Sequence, residues 1–245
     1  MSEEEQLVSS ADKLMLKEKY IDAIREYLKV LELVKGKNDE LEADTCSKLS
    51  QAYSALDPRS DENSLKYGID ALEIHKRIDD KALTIMDLLN LGYIEQSAGK
   101  HEMCKNYLQE AMETARKFGD SVLLSMAMSA NAECLARSKK SRNSAISLYR
   151  EAMALSESEQ DWENYFEALY GLIGCLKEDG KDKAFKMAME ALDRIDQIIA
   201  AMKNKKDIKE LKSAVSFMYD LASDLAMEME NVEEAINIAQ RLRSE

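Results

Sequence analysis

The sequence predicts an all-α chain built as a solenoid of about six helical hairpins, and three observations carry that prediction. Composition is the first: one Pro and eight Gly in 245 residues, among abundant Ala, Leu, Glu, Lys and Met, favour helix throughout. The second is spacing. Ile85, Leu88, Leu91 and Gly92 stand at i, i+3, i+6 and i+7, which is one face of a helix and does not alternate as a strand would. The third is repetition. A small residue on the second helix of each hairpin recurs at Ala23, Ser64, Cys104, Ala145, Ala184 and Ala235, in steps of 41, 40, 41, 39 and 51. Asp39, Asp80, Asp120 and Asp161, at the ends of the turns between repeats, step by 41, 40 and 41. An Asp there suits a helix N-cap, because its carboxylate accepts orphan N–H groups at the positive end of the dipole.

The stretch from Ala82 to Asp120 is the type unit. Its first helix is followed by a turn at Ser97-Ala98-Gly99-Lys100, and the second helix places Cys104, Leu108, Ala111, Met112 and Ala115 at helical spacing before stopping at Phe118-Gly119-Asp120. Gly92, Cys104 and Ala111 stand where two axes would cross, and small side chains permit that approach. One hairpin cannot bury its own apolar face, so it must stack on neighbours.

In chain order, Ser2 and Glu5 form a capping box that opens the first helix, with Ala11, Leu14 and Leu16 continuing it. Lys17-Glu18-Lys19 is the turn, and Ile21 to Val34 is the second helix, stopping near Gly36. The second hairpin carries Leu49, Ala52 and Tyr53, then a loop at residues 57–61 with the single proline, Pro58, which breaks helix cleanly. The fourth has Asn131-Ala132-Glu133 where the third has Asn90-Leu91-Gly92, and a basic turn from Arg137 to Arg142. The fifth opens with the densest aromatic group, Trp162, Tyr165, Phe166 and Tyr170. No Gly or Pro interrupts residues 181–206, so its second helix is expected to run long, with Lys203-Asn204-Lys205-Lys206 as a solvated end suited to the negative dipole terminus. One helix from about Asp207 to Glu230 and a last from Val232 to Arg243 complete the chain. The expected repeats are residues 2–38, 39–79, 80–119, 120–160, 161–206 and 207–245 of one continuous domain, 1–245.

The stretch NLGYIEQSAGKHEMCKNYLQEAMETA resembles the tetratricopeptide repeat (TPR), with its Leu-Gly, a small residue twelve positions later, and an Ala-Met pair near the end of the second helix. The forty-residue spacing, the Asn before Leu-Gly and the Gly-Asp turn make it similar to the longer variant found in kinesin light chain and related spindle-orientation adaptors. Glu133 and Ile173 depart from the pattern where a Gly or Ala would follow the Leu. The resemblance implies a right-handed TPR superhelix whose first helices line a concave groove that holds peptides. It also implies that Val8 and Asp12 stand where chaperone-binding members need Lys and Asn to clamp a carboxylate, so this chain departs from that clamp.

The net charge of −13 and sequence pI near 4.8 exclude nucleic acid and an anionic membrane as main partners. Apolar stretches are too short to span a membrane and the start is acidic, so a cytoplasmic address is expected. Cys46, Cys104, Cys134 and Cys175 fall singly with no Cys-x-x-Cys or nearby His, which reads as small core fillers, reduced, with no metal. The two histidines, His75 and His101, belong to no catalytic pattern, and phosphate loops and serine elbows are absent. The expectation is a non-enzyme without cofactors, a protein- or peptide-binding adaptor.

The groove candidates are Leu49, Tyr53, Leu89, Asn90, Tyr93, Asn131, Arg137, Phe166 and Tyr170. Asn90 and Asn131 lead, because a planar amide both donates and accepts and so pairs with a ligand backbone; the alternative is that each bonds a neighbouring helix. The last helix shows Ala235, Ile236, Ile238, Ala239 and Leu242 with no later helix to cover them, so Ile236, Ala239 and Leu242 are candidates for end-binding or a homodimer. A ligand-sensing regulator and an assembly subunit working through that last hairpin are the alternative functions.

Overall fold

The computed structural model describes residues 2–57 and 62–243. The break expected at Pro58 lies outside the described residues. Thirteen α-helices and no strand are present among the described residues, and no helix is long and apolar enough to cross a membrane. The helices gather into two compact units, Met1–Ala130 and Asn131–Glu245, with the division inside one helix, α7 (Ser121–Ala136).

The first unit is a run of hairpins: α1 (Glu3–Met15) with α2 (Tyr20–Val34), α3 (Asp39–Leu56) with α4 (Glu62–Arg77), and α5 (Lys81–Ser97) with α6 (His101–Phe118). Between hairpins α2 packs on α3 and α4 on α5, and α3 also touches α5, so the first helices stand side by side. Local chemistry sets the ends. Ser2 and Glu5 form the capping box at α1. Asp80 caps α5 by accepting from the Leu83 N–H at 2.9 Å. Asp120 accepts from Leu123 N–H at 2.9 Å, and Asp161 caps α9 (Trp162–Lys177) by accepting from Asn164 N–H. The cap of α3 is Asn38 rather than Asp39: its short amide, on extended backbone, accepts from the Leu41 N–H, and Asp39 falls in the first turn, where its negative charge suits the positive end of the dipole. Gly119 ends α6 with φ +82°, the left-handed conformation glycine adopts without cost.

The residues that anchor the expected repeats lie in the core. All six small anchors, Ala23, Ser64, Cys104, Ala145, Ala184 and Ala235, are buried. At Gly92 the reason is measurable: a Cβ there would stand 2.4 Å from Leu108 Cδ2, and Leu108 is itself fully buried. Ser47 Oγ donates to Asp87 at 2.6 Å and Asn90 Nδ2 to Ser50 Oγ at 2.8 Å, each across 40 positions. Residues one period apart therefore meet across neighbouring first helices.

In the second unit α8 (Arg142–Glu159) packs on α9, α9 on α10 (Lys181–Ala201), α10 on α12 (Ser216–Glu228), and α12 on α13 (Val232–Arg243). A Cβ on Gly171 of α9 would stand 2.3 Å from Tyr149 Cζ of α8, so this glycine admits the tyrosine of the preceding hairpin.

Two expectations are corrected here. The single helix expected over 207–230 is two, α11 (Lys205–Ala214) and α12, broken at Val215 with φ −102° and ψ 10°. Serines flank the break, and Ser216 Oγ donates to the Ser213 carbonyl at 3.0 Å, the local side-chain bonding that competes with a helical ladder. The lysine run is not the end of α10, which stops at Ala201. Asn204 caps α11 by accepting from the Lys206 N–H, which puts Lys205 and Lys206 in a first turn, where the dipole opposes cations.

Candidate functional site

In the first unit α5 carries two apolar faces. Ile85, Leu88, Leu91 and Gly92 point into the core. The other face holds Leu83, Met86 and Tyr93, which are 40%, 41% and 44% exposed, with Asn90 between them at i, i+3, i+7 and i+10. A helix apolar on both sides is normally buried on both, so the open stripe is a candidate contact surface. Sequence reading found Tyr93 and Asn90 and missed Leu83 and Met86; the same helical spacing that located the core face carried that signal.

The other groove candidates divide by burial. Leu49 is fully buried and Leu89 nearly so, which corrects their expected place on the surface: they support it from beneath. Tyr53 is half-buried and stacks on Tyr67 of α4, with ring centroids 5.7 Å apart and planes 10° apart. Burial, then Cys46 and Asp70, raise the Tyr67 phenol above its usual value. Asn90 is partly buried and its amide donates to Ser50, whose hydroxyl donates to the Ser64 carbonyl at 2.7 Å. The amide nitrogen thus serves the helix interface, and the residue still borders the exposed stripe.

Beneath this face lies a polar cluster that the sequence did not reveal. Asp87 of α5 accepts from Ser47 of α3, and its second oxygen lies 2.6 Å from His75 Nδ1 of α4. His75 and Asp87 are 1% and 3% exposed, and His75 Nε2 is buried without a partner. Serine, histidine and aspartate are together, but Ser47 donates to the carboxylate and not to the imidazole. A nucleophile needs the serine–base bond, so the cluster ties three helices together. At the start of the unit, the Asp12 carboxylate accepts from Tyr27 Oη at 2.5 Å and pairs with Lys48 at 2.8 Å.

In the second unit Asn131 is 6% exposed and its Oδ1 is buried without a partner. Arg137 is exposed, 3.8 Å from Glu133. Phe166 is fully buried, edge-on to Tyr165, so it too is corrected from surface to core. Tyr170 is 47% exposed and edge-on to Phe217 of α12 at 5.5 Å. The aromatic group of α9 is therefore split, since Trp162 and Tyr165 pair with each other and Arg194 lies over Trp162. On α13, Ile236 and Ala239 are exposed and Leu242 half-buried, whereas Ala235 and Ile238 are covered, which narrows the expected open edge. All four cysteines are buried and none is in a disulfide. No group of three or more metal-ligating side chains occurs among the described residues.

Solved structures share this arrangement of helices. A signal-transduction ATPase with a tetratricopeptide repeat sensor from Pyrococcus horikoshii matches 98% of this chain and 35% of its own, at 19% identity and TM-score 0.68. Kinesin-light-chain TPR-like repeats from Podospora anserina match 78% of this chain and 94% of theirs, at 11% identity and TM-score 0.63. This is a TPR-like fold. A third TPR-like neighbour, the Rap conjugation gene regulator of plasmid pLS20 in complex with the Phr* peptide, matches 97% of this chain and 73% of its own, at 18% identity and TM-score 0.59. No family model matches the sequence, and no curated protein does either. The neighbours are all-helical hairpin solenoids, and the expected fold class stands with them.

Proposed function

We propose that this TPR-like chain is an adaptor that binds a protein or peptide through the exposed face of α5, as a binding protein and not a catalyst. The observation that carries the reading is the open stripe of Leu83, Met86 and Tyr93 with Asn90 among them. It combines an aromatic anchor, flexible apolar side chains and an amide in one row. One TPR-like neighbour was solved with a peptide bound, which supports this class of partner. The exposed Tyr170 beside Phe217 offers a second aromatic contact of the same kind in the other unit.

The test is site-specific photocrosslinking in cells, with a benzophenone amino acid at position 93 and, as control, at exposed Arg116 on α6. Position 93 is expected to trap a discrete protein or peptide, and Leu83→Asp is expected to cut the yield about tenfold, as losing one contact of 1.4 kcal/mol would. Equal trapping at 116, or yield indifferent to Leu83, would remove α5 as the working face.

A further inference from the structure

In the second unit a cavity of about 730 Å³ opens between the end of α10 and helices α11, α12 and α13. Its floor is apolar, from Ile199 and Ala200 of α10 and Ile208 of α11, and its charged lining is basic except for one carboxylate, Asp196. Lys205, Lys209 and Lys212 stand at i, i+4 and i+7 on α11 and line the cavity with Arg241 of α13. Arg241 is committed: it bonds Asp196 at 2.9 Å and Asp193 at 2.8 Å, and Tyr219 donates to Asp196. Lys205 and Lys209 are differently placed. Among the described residues neither Lys205 nor Lys209 makes an ion pair, and the nearby carboxylate of Glu210 pairs with Lys206. Lys205 also sits in the first turn of α11, the end of a helix that favours an anionic neighbour. In a chain of net charge −13 this is a local excess of cations over an apolar floor.

We propose that this cavity is a second binding site, distinct from the α5 face, for an acidic peptide segment of a partner protein with an aliphatic or aromatic side chain among its carboxylates. The size lies within the span of ligand sites, about 300–1,000 Å³. The spacing favours a peptide over an amphiphile with one headgroup: the three lysines spread over seven residues of helix, about 10 Å. Carboxylates distributed along a chain meet all three, and a single headgroup meets one end. The apolar floor takes the side chain between them.

The test is fluorescence anisotropy on the full chain, using a fluorescein-labelled nonapeptide in which glutamate alternates with leucine and phenylalanine. Its counterpart carries glutamine at every glutamate. The acidic peptide is expected to bind at least about tenfold more tightly than the counterpart, and more weakly as salt is raised. Lys205→Glu with Lys209→Glu is expected to weaken it a further tenfold or more, with Lys205→Gln and Lys209→Gln intermediate and melting temperatures not lowered, because both side chains are exposed and an anion suits the first turn of α11. The same reversal at exposed Lys183 and Lys186 of α10 is expected to leave binding intact. The proposal is overturned by absence of binding up to millimolar peptide, by equal binding of the glutamine counterpart, or by equal loss in the Lys183 and Lys186 variant. Displacement of the peptide by phosphatidylserine vesicles at matched charge would assign the cavity to a membrane surface instead.

Discussion

Asp87 is held by donors from two other helices, Ser47 and His75, with Asp87 and His75 themselves almost fully buried. Removing the carboxylate leaves an imidazole and a hydroxyl stranded, and breaking a buried pair from one side is costly because the remaining polar group keeps its desolvation penalty. Asp87→Ala is therefore expected to lower the free energy of unfolding by about 1–3 kcal/mol in urea titration, and Ser47→Ala by about 1 kcal/mol. A loss under 1 kcal/mol for Asp87→Ala would mean that the cluster does not hold the three helices together. His75 shows where sequence reading stops. Its neighbours lie 12 positions ahead, at Asp87, and at Ser47, which is one repeat before Asp87. No linear motif joins them, although the forty-residue step between Ser47 and Asp87 was itself legible.

At the scale of the element, the caps and stops were written locally and were read correctly where one residue type dominates the choice. Asp80, Asp120 and Asp161 accept the N–H groups they were expected to accept. Asn38 displaced Asp39 because both side chains can cap and only backbone conformation decides between them. The Val215 break escaped notice for a different reason: neither Gly nor Pro marks it, and two serine hydroxyls are a weaker signal than either. The ends of α6 and α8 make a natural comparison. Gly119 closes one in the left-handed region, and Gln160 closes the other with φ 56° and ψ 27°, where a side chain costs about 1–2 kcal/mol. Gln160→Gly relieves that strain and gives back part of it in chain entropy, so a net gain of about 0.5–1 kcal/mol is expected. Thermal unfolding of the variant checks it, and a lower midpoint would mean the glutamine side chain contributes more than its backbone costs.

For the whole molecule, several groups that burial keeps protonated set an alkaline limit. Burial, then Asp70 and Glu42, push the Cys46 thiol up to about 12. Burial and Asp196 push the Tyr219 phenol up to about 12, and burial with the bond to Asp12 raises Tyr27. In the unfolded chain thiols titrate near 8.5 and phenols near 10. The unfolded state thus releases these protons first, and stability falls from about pH 8 upward until the folded groups ionise as well. Melting temperature is expected to decline steadily between pH 8 and pH 11, and Tyr219→Phe to flatten the decline above pH 10. A flat profile in the wild type would show that these groups titrate alike in both states. The same burial explains why the site was less legible than the fold. Periodicity identifies which residues share a helix face, but not which of two apolar faces of α5 finds a neighbour. Leu49, Leu89 and Phe166 were assigned outward, and Leu83 and Met86 were passed over. The cavity beside α11 depends on a break the sequence does not mark.

The four cysteines give the molecule a further property. Cys46, Cys104, Cys134 and Cys175 are sealed away in α3, α6, α7 and α9, so each can meet an alkylating reagent only when its own stretch of helix opens. Their separate labelling rates, read by mass spectrometry on one sample, form four internal clocks that time how often successive parts of the chain come apart without unfolding the rest.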